Sequence, residues 1–325
     1  MKQIRWGMVG CGSVTELKSG PAFNKVQDSK LVAVMRRYGE KAKDYAMRHN
    51  VPKWYNNADE LINDADVNAV YIATPPDSHA SYTIKVAAAQ KPVYVEKPMA
   101  RNYSECREML NACEKANVPL FVAYYRRTLP DFVKIKELID GGAIGNIRLV
   151  NIELYNPVKD DLDQKNLPWR VIPEIAGGGY FFDLASHQLD FLDYVLGPIV
   201  SASGQTANQA GLYPAKDIVT ANFKFESGVL GTGSWCFTVA NPVETDRTQI
   251  VGDRGRIIYS SFDIAPVMLE TKNGVEQFEI PRPQYVQQPL IQTVVDDLLG
   301  RGKCPSTGTS AARTSKILDL ITGKI

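Results

Sequence analysis

The chain lacks the features that mark several whole classes of protein. None of its apolar runs approaches bilayer length, which excludes a membrane-spanning helix. Near the start, Arg5 and a glycine-rich turn interrupt any stretch of signal-peptide kind. There are five scattered cysteines in 325 residues (Cys11, Cys106, Cys113, Cys236, Cys304), an odd number with no Cys-x-x-Cys pair. That argues against a disulfide framework and for a reduced, cytoplasmic setting. An excess of one charge is missing too: 37 Lys and Arg against 36 Asp and Glu leave a formal net charge of +1. Such a balance gives no electrostatic case for nucleic acid or an anionic membrane surface. Internal repeats, low-complexity tracts and long linkers are also lacking. What remains is a globular chain long enough for two domains with sizeable cores.

The first half reads as alternating strands and helices, the pattern of a doubly wound parallel sheet. Ile4 to Val9 is apolar apart from Arg5, as expected of a strand buried on both faces. It runs into Gly10-Cys11-Gly12-Ser13-Val14-Thr15. The first two glycines match the dinucleotide fingerprint, one for the tight turn and one for close approach of backbone to a pyrophosphate. Thr15 stands where a third glycine would allow close packing of helix on strand. Cys11 inside the turn reads as a small space-filler rather than a nucleophile.

The second strand, Leu31 to Val34, speaks to which dinucleotide. NAD sites usually end this strand in an acid that accepts from the ribose hydroxyls. Here it ends Met35-Arg36-Arg37, with no acid until Glu40. Two guanidiniums attract a 2′-phosphate and can grip it in a planar fork, so NADP is the expected cofactor, with NAD as the alternative. A solvated basic start to the next helix is the plainer reading of the same residues. Ala69 to Ala73 forms a further strand, stopped by Thr74-Pro75-Pro76-Asp77-Ser78-His79, a turn suited to lie beneath the nicotinamide half of the cofactor. Pro92-Val93-Tyr94-Val95 is another, followed by Glu96-Lys97-Pro98. Ligands of open α/β sheets bind at the carboxyl ends of strands. A lysine there is partly desolvated and suited to proton transfer. Alone, it would more often be a solvated loop residue.

Beyond Val118 to Ala123 the pattern changes. Seven strand-like segments between Ile147 and Ile280 are joined in several places by tight turns (Glu226-Ser227-Gly228, Asp253-Arg254-Gly255, Lys272-Asn273-Gly274), the mark of antiparallel hairpins. The expectation is an N-terminal Rossmann domain over residues 1–123. An α+β domain with a large, open, mostly antiparallel meander sheet would then fill 124–325. Within it, Ala176-Gly177-Gly178-Gly179 leads into a helix on which Asp183, His187 and Asp190 fall at i, i+4 and i+7, on one face. A histidine flanked by carboxylates suits general acid/base work. A core histidine or a solvated stripe is the bland reading. The set could also hold a metal, but only three ligands are in view and no metal is expected.

Taken in order, the glycine turn, the Thr-Pro-Pro turn with His79, Glu-Lys-Pro and Gly-Gly-Gly-x-x-x-Asp-x-x-x-His resemble the Gfo/Idh/MocA oxidoreductases over nearly the whole chain. That resemblance implies a catalytic set of Lys97, Asp183 and His187. It implies that Gly10 and Gly12, with Ser13 and Val14 in the same turn, hold the pyrophosphate. Thr74, Pro75, His79, Glu96 and Lys97 itself would line the cofactor cleft. Trp169-Arg170 is similar to the family's Trp-Arg pair, which reaches toward cofactor or substrate. Tyr285 stands where some members place a tyrosine near the nicotinamide. The implied chemistry is NAD(P)-dependent hydride transfer at a carbinol carbon of a sugar, cyclitol or related polyol. An NAD-dependent glycosidase and a non-enzymatic dinucleotide sensor, both of the same fold, are the alternatives. Substrate choice would rest with loops such as residues 156–171. The aromatic face of Phe223, Phe225, Trp235 and Phe237 suggests either packing on the domain's own helices or sheet-to-sheet association into a homodimer or homotetramer.

Overall fold

Six strands, β1 (Ile4–Val9), β2 (Ser29–Met35), β3 (Lys53–Tyr55), β4 (Ala69–Ile72), β5 (Val93–Val95) and β6 (Leu120–Val122), form one parallel sheet in the order β3-β2-β1-β4-β5-β6. The structure, a computed structural model, describes residues 2–158, 162–163 and 165–325. Every residue of β4, β5 and β6 is buried, which explains their continuous aliphatic and aromatic composition: both faces are covered by helices. From β1 the chain builds outward to β3, then crosses to β4 on the other side of β1. The reversal of order lies between β1 and β4, the topological switch point where such sheets bind ligands.

Two compact units emerge from the chain, Met1–Leu129 with Pro283–Ala312, and Pro130–Arg282 with Arg313–Ile325. Sequence reasoning placed all of 124–325 in the second domain, whereas 283–312 pack with the first unit. The reason is the edge of the parallel sheet. Strand β6 has a neighbour on one side only, and an unpaired edge must be covered. Phe121 forms an antiparallel bridge to Thr307, and Ser306 Oγ donates to Val122 O at 2.7 Å.

In the second unit eight strands follow the order β14-β13-β12-β11-β7-β10-β9-β8, with β7 (Ile147–Pro157), β8 (Ile199–Ala207), β9 (Ile218–Phe225), β10 (Leu230–Val239), β11 (Thr245–Gly252), β12 (Gly255–Tyr259), β13 (Val267–Thr271) and β14 (Gly274–Phe278). The hairpins lie where the turn residues put them, but the sheet is not a simple meander. Strand β7 is inserted between β10 and β11 and runs parallel to β10. An eleven-residue strand that precedes the hairpins needs a long connection to pair in parallel, and the helix Gly179–Leu196 lies in that connection. Phe223, Phe225, Trp235 and Phe237 are all buried. They pack on the domain's own helix: Phe181 meets Trp235 edge-on at 5.1 Å, Tyr180 meets Phe237 at 5.7 Å, and Trp235 Nε1 donates to Gln188 Oε1 at 2.8 Å. The aromatic face is therefore core and offers no argument for association between chains.

Candidate active site

The glycine turn is shaped from both sides of the switch point. Gly10 has φ +96°, a region that L side chains rarely adopt, and an added Cβ would sit 2.7 Å from Thr74 Cγ2. The N–H groups of Gly10 and Cys11 both donate to Met35 O at 2.9 and 3.1 Å, tying the turn to the end of β2. Gly12 differs. A Cβ there would meet nothing nearer than Gly10 O at 3.9 Å, so packing within the protein does not demand glycine. The first helical bonds close onto Gly12 O from Thr15 N and Glu16 N at 3.1 and 3.2 Å. That leaves the N–H groups of Gly12, Ser13 and Val14 ahead of the first closed turn. Open space above a glycine, beside N–H groups at a helix start, fits a pyrophosphate.

The helix that follows is short and irregular, a five-residue π turn over Thr15–Ser19 and a 3-10 turn over Gly20–Asn24. Thr15, in the third glycine's place, is fully buried, and its hydroxyl donates to Gly12 O at 2.8 Å. Cys11 is 1 % exposed, and burial pushes its thiol up to about 11, so it fills space and has little thiolate character at neutral pH. Arg36 leans back over the turn, with Nη1 3.4 Å from Cys11 O, while Arg37 points to solvent.

At the end of β4, Ser78 Oγ donates to Thr74 Oγ1 at 2.8 Å and Pro75 O at 3.0 Å, fixing the turn. His79 is fully buried. Its Nε2 lies 2.7 Å from Thr74 O, and its Nδ1 lies 3.1 Å from Pro98 O and 3.3 Å from Met99 O. With no exposed surface, His79 braces the Thr74 and Pro98 turns. Burial lowers its pKa, which favours the neutral ring.

At the end of β5, Lys97 is partly buried and precedes a cis proline, Pro98. Glu96 is 6 % exposed. Its Oε1 accepts from Tyr71 OH at 2.5 Å and Gln287 Nε2 at 2.6 Å, and its Oε2 from Lys97 N at 3.2 Å. The carboxylate thus pins the backbone that presents the lysine. Sequence reasoning missed Gln287 and Tyr71, since nothing in a linear reading connects residue 287 to residue 96. Tyr285, which sequence reasoning did name, lies with its ring under Lys25 Nζ at 5.4 Å. That reasoning also passed over Tyr125. Burial pushes that phenol up, but the charges of Arg126, Lys18 and Lys97 together outweigh burial, and the net direction is down.

In the second unit the helix Gly179–Leu196 carries Asp183 and His187 one turn apart. The glycines before it are required: Gly177 and Gly179 have φ +86° and +73°, and a Cβ on Gly178 would strike the Phe182 ring at 2.1 Å. Arg170 Nε donates to Asp183 Oδ2 at 3.1 Å, and its guanidinium lies 4.5 Å over the Trp169 ring. Within this unit, then, Trp169 and Arg170 orient Asp183. His187 is 3 % exposed, with the Phe262 ring 6.1 Å away. Asp190, expected beside the histidine, is 1 % exposed and accepts from Thr314 Oγ1 at 3.2 Å on the last helix; it ties the core together. Residues 159–161 and 164 of the expected specificity loop lie outside the described residues.

A parallel Rossmann sheet with an open glycine turn, joined to an α+β domain bearing an Asp–His helix, defines a class: dinucleotide-dependent oxidoreductases. Residues 4–124 match the model of an oxidoreductase family with an NAD-binding Rossmann fold, and 132–258 match the GFO/IDH/MocA C-terminal domain. The chain belongs to the GFO/IDH/MocA family. It is 39% identical over 323 residues to Oxidoreductase P35 of Formosa agariphila, covering 99% of each chain. It is 27% identical over 276 residues to myo-inositol 2-dehydrogenase of Thermotoga maritima, covering 83% of this chain and 79% of that one. Among solved structures, levoglucosan dehydrogenase in complex with NADH and levoglucosan superposes with a TM-score of 0.89 at 20% identity, over 99% of this chain and 96% of that one. Among the described residues no helix is long and apolar enough to cross a membrane, and no group of three or more His, Cys, Asp or Glu could hold a metal.

Proposed function

We propose that the protein is a cytoplasmic NADP-preferring dehydrogenase, with NAD as the weaker cofactor, acting on a carbinol carbon of a sugar, cyclitol or related polyol. The observation that carries this reading is Lys97 at the carboxyl end of β5, its backbone held by a buried carboxylate, in the sheet whose switch point bears the open glycine turn. The bound dinucleotide supplies the hydride acceptor or donor. Gly10, Gly12, Ser13 and Val14 present backbone to its phosphates, and Arg36 and Arg37 serve the 2′-phosphate. Thr74, Pro75 and Glu96 wall the nicotinamide side, with Trp169, Arg170 and Tyr285 as further cofactor contacts. His187 exchanges the proton of the reacting hydroxyl, Lys97 donates a hydrogen bond to the oxygen that carries developing negative charge, and Asp183 orients the histidine. Relatives named for myo-inositol and levoglucosan support the substrate class. Association into a homodimer or homotetramer through the uncovered face of the large sheet is part of the same proposal, and light scattering tests it.

The experiment is absorbance at 340 nm with NADP+ or NAD+ across a sugar and polyol panel, beside nitrophenyl glycosides. Net NADPH formation is expected. Glycoside cleavage without net reduction would replace the dehydrogenase reading with a glycosidase one. Lys97→Ala is expected to lower kcat by on the order of two to four decades with cofactor affinity nearly intact, and near-normal turnover refutes the role. Replacing both Arg36 and Arg37 with Ala is expected to raise the KM for NADPH far more than that for NADH; equal changes refute the NADP preference.

A further inference from the structure

The turn that links β12 to β13 is held far more firmly than a hairpin connection needs. Asp246, on β11, turns its carboxylate into this turn. Its Oδ1 accepts from Ser261 N at 3.1 Å, and its Oδ2 from Phe262 N at 2.6 Å and Asp263 N at 3.3 Å, with the Ser260 hydroxyl as a further donor. From the other side Arg282 donates to Phe262 O at 3.0 Å and Asp263 O at 3.2 Å. Arg282 is itself anchored, with Nε donating to Asp131 Oδ2 at 2.8 Å and both side chains nearly buried, at 12% and 9% exposure. The guanidinium also lies 5.8 Å from the centre of the Phe132 ring, and Phe132 packs edge-on against Phe191 in the core.

Both peptide groups of Phe262, like those of the adjoining Asp263, are therefore fixed by charge-assisted bonds, each about twice as strong as a neutral one. Phe262 is not a core side chain. Its neighbour Tyr259 is buried against Phe132 and Phe191, whereas Phe262 is only partly buried and directs its ring at His187, edge to face at 6.1 Å. A plain structural staple would spend those charges on a ring inside the core. Here they set the position of an aromatic surface beside the imidazole. Aromatic faces carry a negative quadrupole and a large apolar area, which suits the C–H face of a saturated ring whose hydroxyls point elsewhere. An open-chain polyol has no such flat apolar face to offer.

We propose that Phe262 is a specificity-determining residue: it forms a rigid platform for the ring of a cyclic polyol whose reacting carbinol is served by His187, and it favours cyclic over acyclic substrates. This rests on the dehydrogenase reading above. The test compares wild type, Phe262→Ala, Phe262→Trp and Asp246→Asn with NADP+ on two cyclic probes, D-glucose and myo-inositol, and two acyclic ones, D-sorbitol and glycerol. The readout is the ratio of kcat/KM for the better cyclic probe to that for the better acyclic one.

The ratio is expected to fall about tenfold or more in Phe262→Ala, within the range that a lost apolar contact produces, chiefly through the cyclic KM. Phe262→Trp should retain a wild-type ratio, and Asp246→Asn, which loosens the clamp, should fall between. A ratio unchanged in Phe262→Ala, or cyclic and acyclic activity falling together, overturns the proposal. If Phe262→Ala does not fold, Phe262→Leu, which keeps apolar bulk without the ring, takes its place under the same criteria. Wild-type enzyme that reduces NADP+ with none of the four probes counts against the dehydrogenase reading itself, an outcome distinct from an active enzyme whose ratio ignores Phe262.

Discussion

Replacing Gln287 tests whether the returning segment 283–312 supports the lysine turn through one side chain. Gln287 is fully buried; its Nε2 donates to Glu96 Oε1 at 2.6 Å and its Oε1 accepts from Tyr94 OH at 3.1 Å. Leucine keeps the volume and removes both bonds. The carboxylate then loses a charge-assisted donor, worth roughly 1.5–3 kcal/mol, and the buried Tyr94 hydroxyl is left without this acceptor at roughly 1–3 kcal/mol. Greater apolar burial of leucine offsets about 1 kcal/mol, so Gln287→Leu should lose about 1.5–5 kcal/mol. For a unit of this size that lowers Tm by about 3–20 °C, read by calorimetry and by urea unfolding. Gln287→Glu supplies a signature that simple packing damage lacks. It sets a second carboxyl against Glu96, and like charges so close raise the proton affinity of the pair above the free carboxyl value. The folded protein then binds a proton that the unfolded chain does not, so this variant should gain stability as the pH falls from neutral toward about 4.3. A loss below about 1 kcal/mol in Gln287→Leu, or a Gln287→Glu variant with the wild-type pH dependence, would refute the reasoning.

Gly10→Ala and Gly12→Ala should fail in different ways. The first forces a strained φ and a clash with Thr74, costing about 1–3 kcal/mol of stability, whereas the second should unfold like wild type yet bind NADPH at least about tenfold more weakly by fluorescence titration, a loss of about 1.4 kcal/mol; unchanged binding by Gly12→Ala would remove the phosphate role from the turn. Glu16 is held at about 2 by its hydrogen bonds to Arg48 and then His49, against the opposing effect of burial. Its folded pKa is depressed, so its contribution is present above about pH 4.5 and lost as the pH falls from there toward 2. Glu16→Gln should cost about 1 kcal/mol at pH 7, given partial exposure of the pair, and urea melts should show the gap to wild type closing below pH 4.5.

Much of the parallel domain was legible because each of its signals joins a residue to backbone a few positions away. The glycine turn follows β1, the Thr-Pro-Pro turn follows β4 and Lys97 follows β5, so a reader who finds the strand finds the candidate residues. The Asp183–His187 pair was legible for the same reason, a helical repeat after three glycines. Other features depend on contacts that no local pattern encodes. The parallel pairing of β7 with β10 joins Leu149 to Leu230, and the cover of the β6 edge joins Phe121 to Thr307. Neither is written in the periodicity of either partner.

Two buried residues show which physical quantity was missing. His79 was expected to line the cofactor cleft and Asp190 to flank His187; both are buried, His79 against backbone carbonyls and Asp190 with a bond from the Thr314 hydroxyl. A buried polar group must be satisfied by something, and sequence alone cannot say whether that partner is a ligand or the protein's own frame. For His79 it is the frame, and this makes it mechanically important. Its imidazole contacts carbonyls of the turns after both β4 and β5, so it couples the wall at Thr74 to the turn that carries Lys97. Any motion of the lysine turn must then break or stretch the contact to Pro98 O, so the turn that carries the lysine is braced by a residue with no exposed surface of its own.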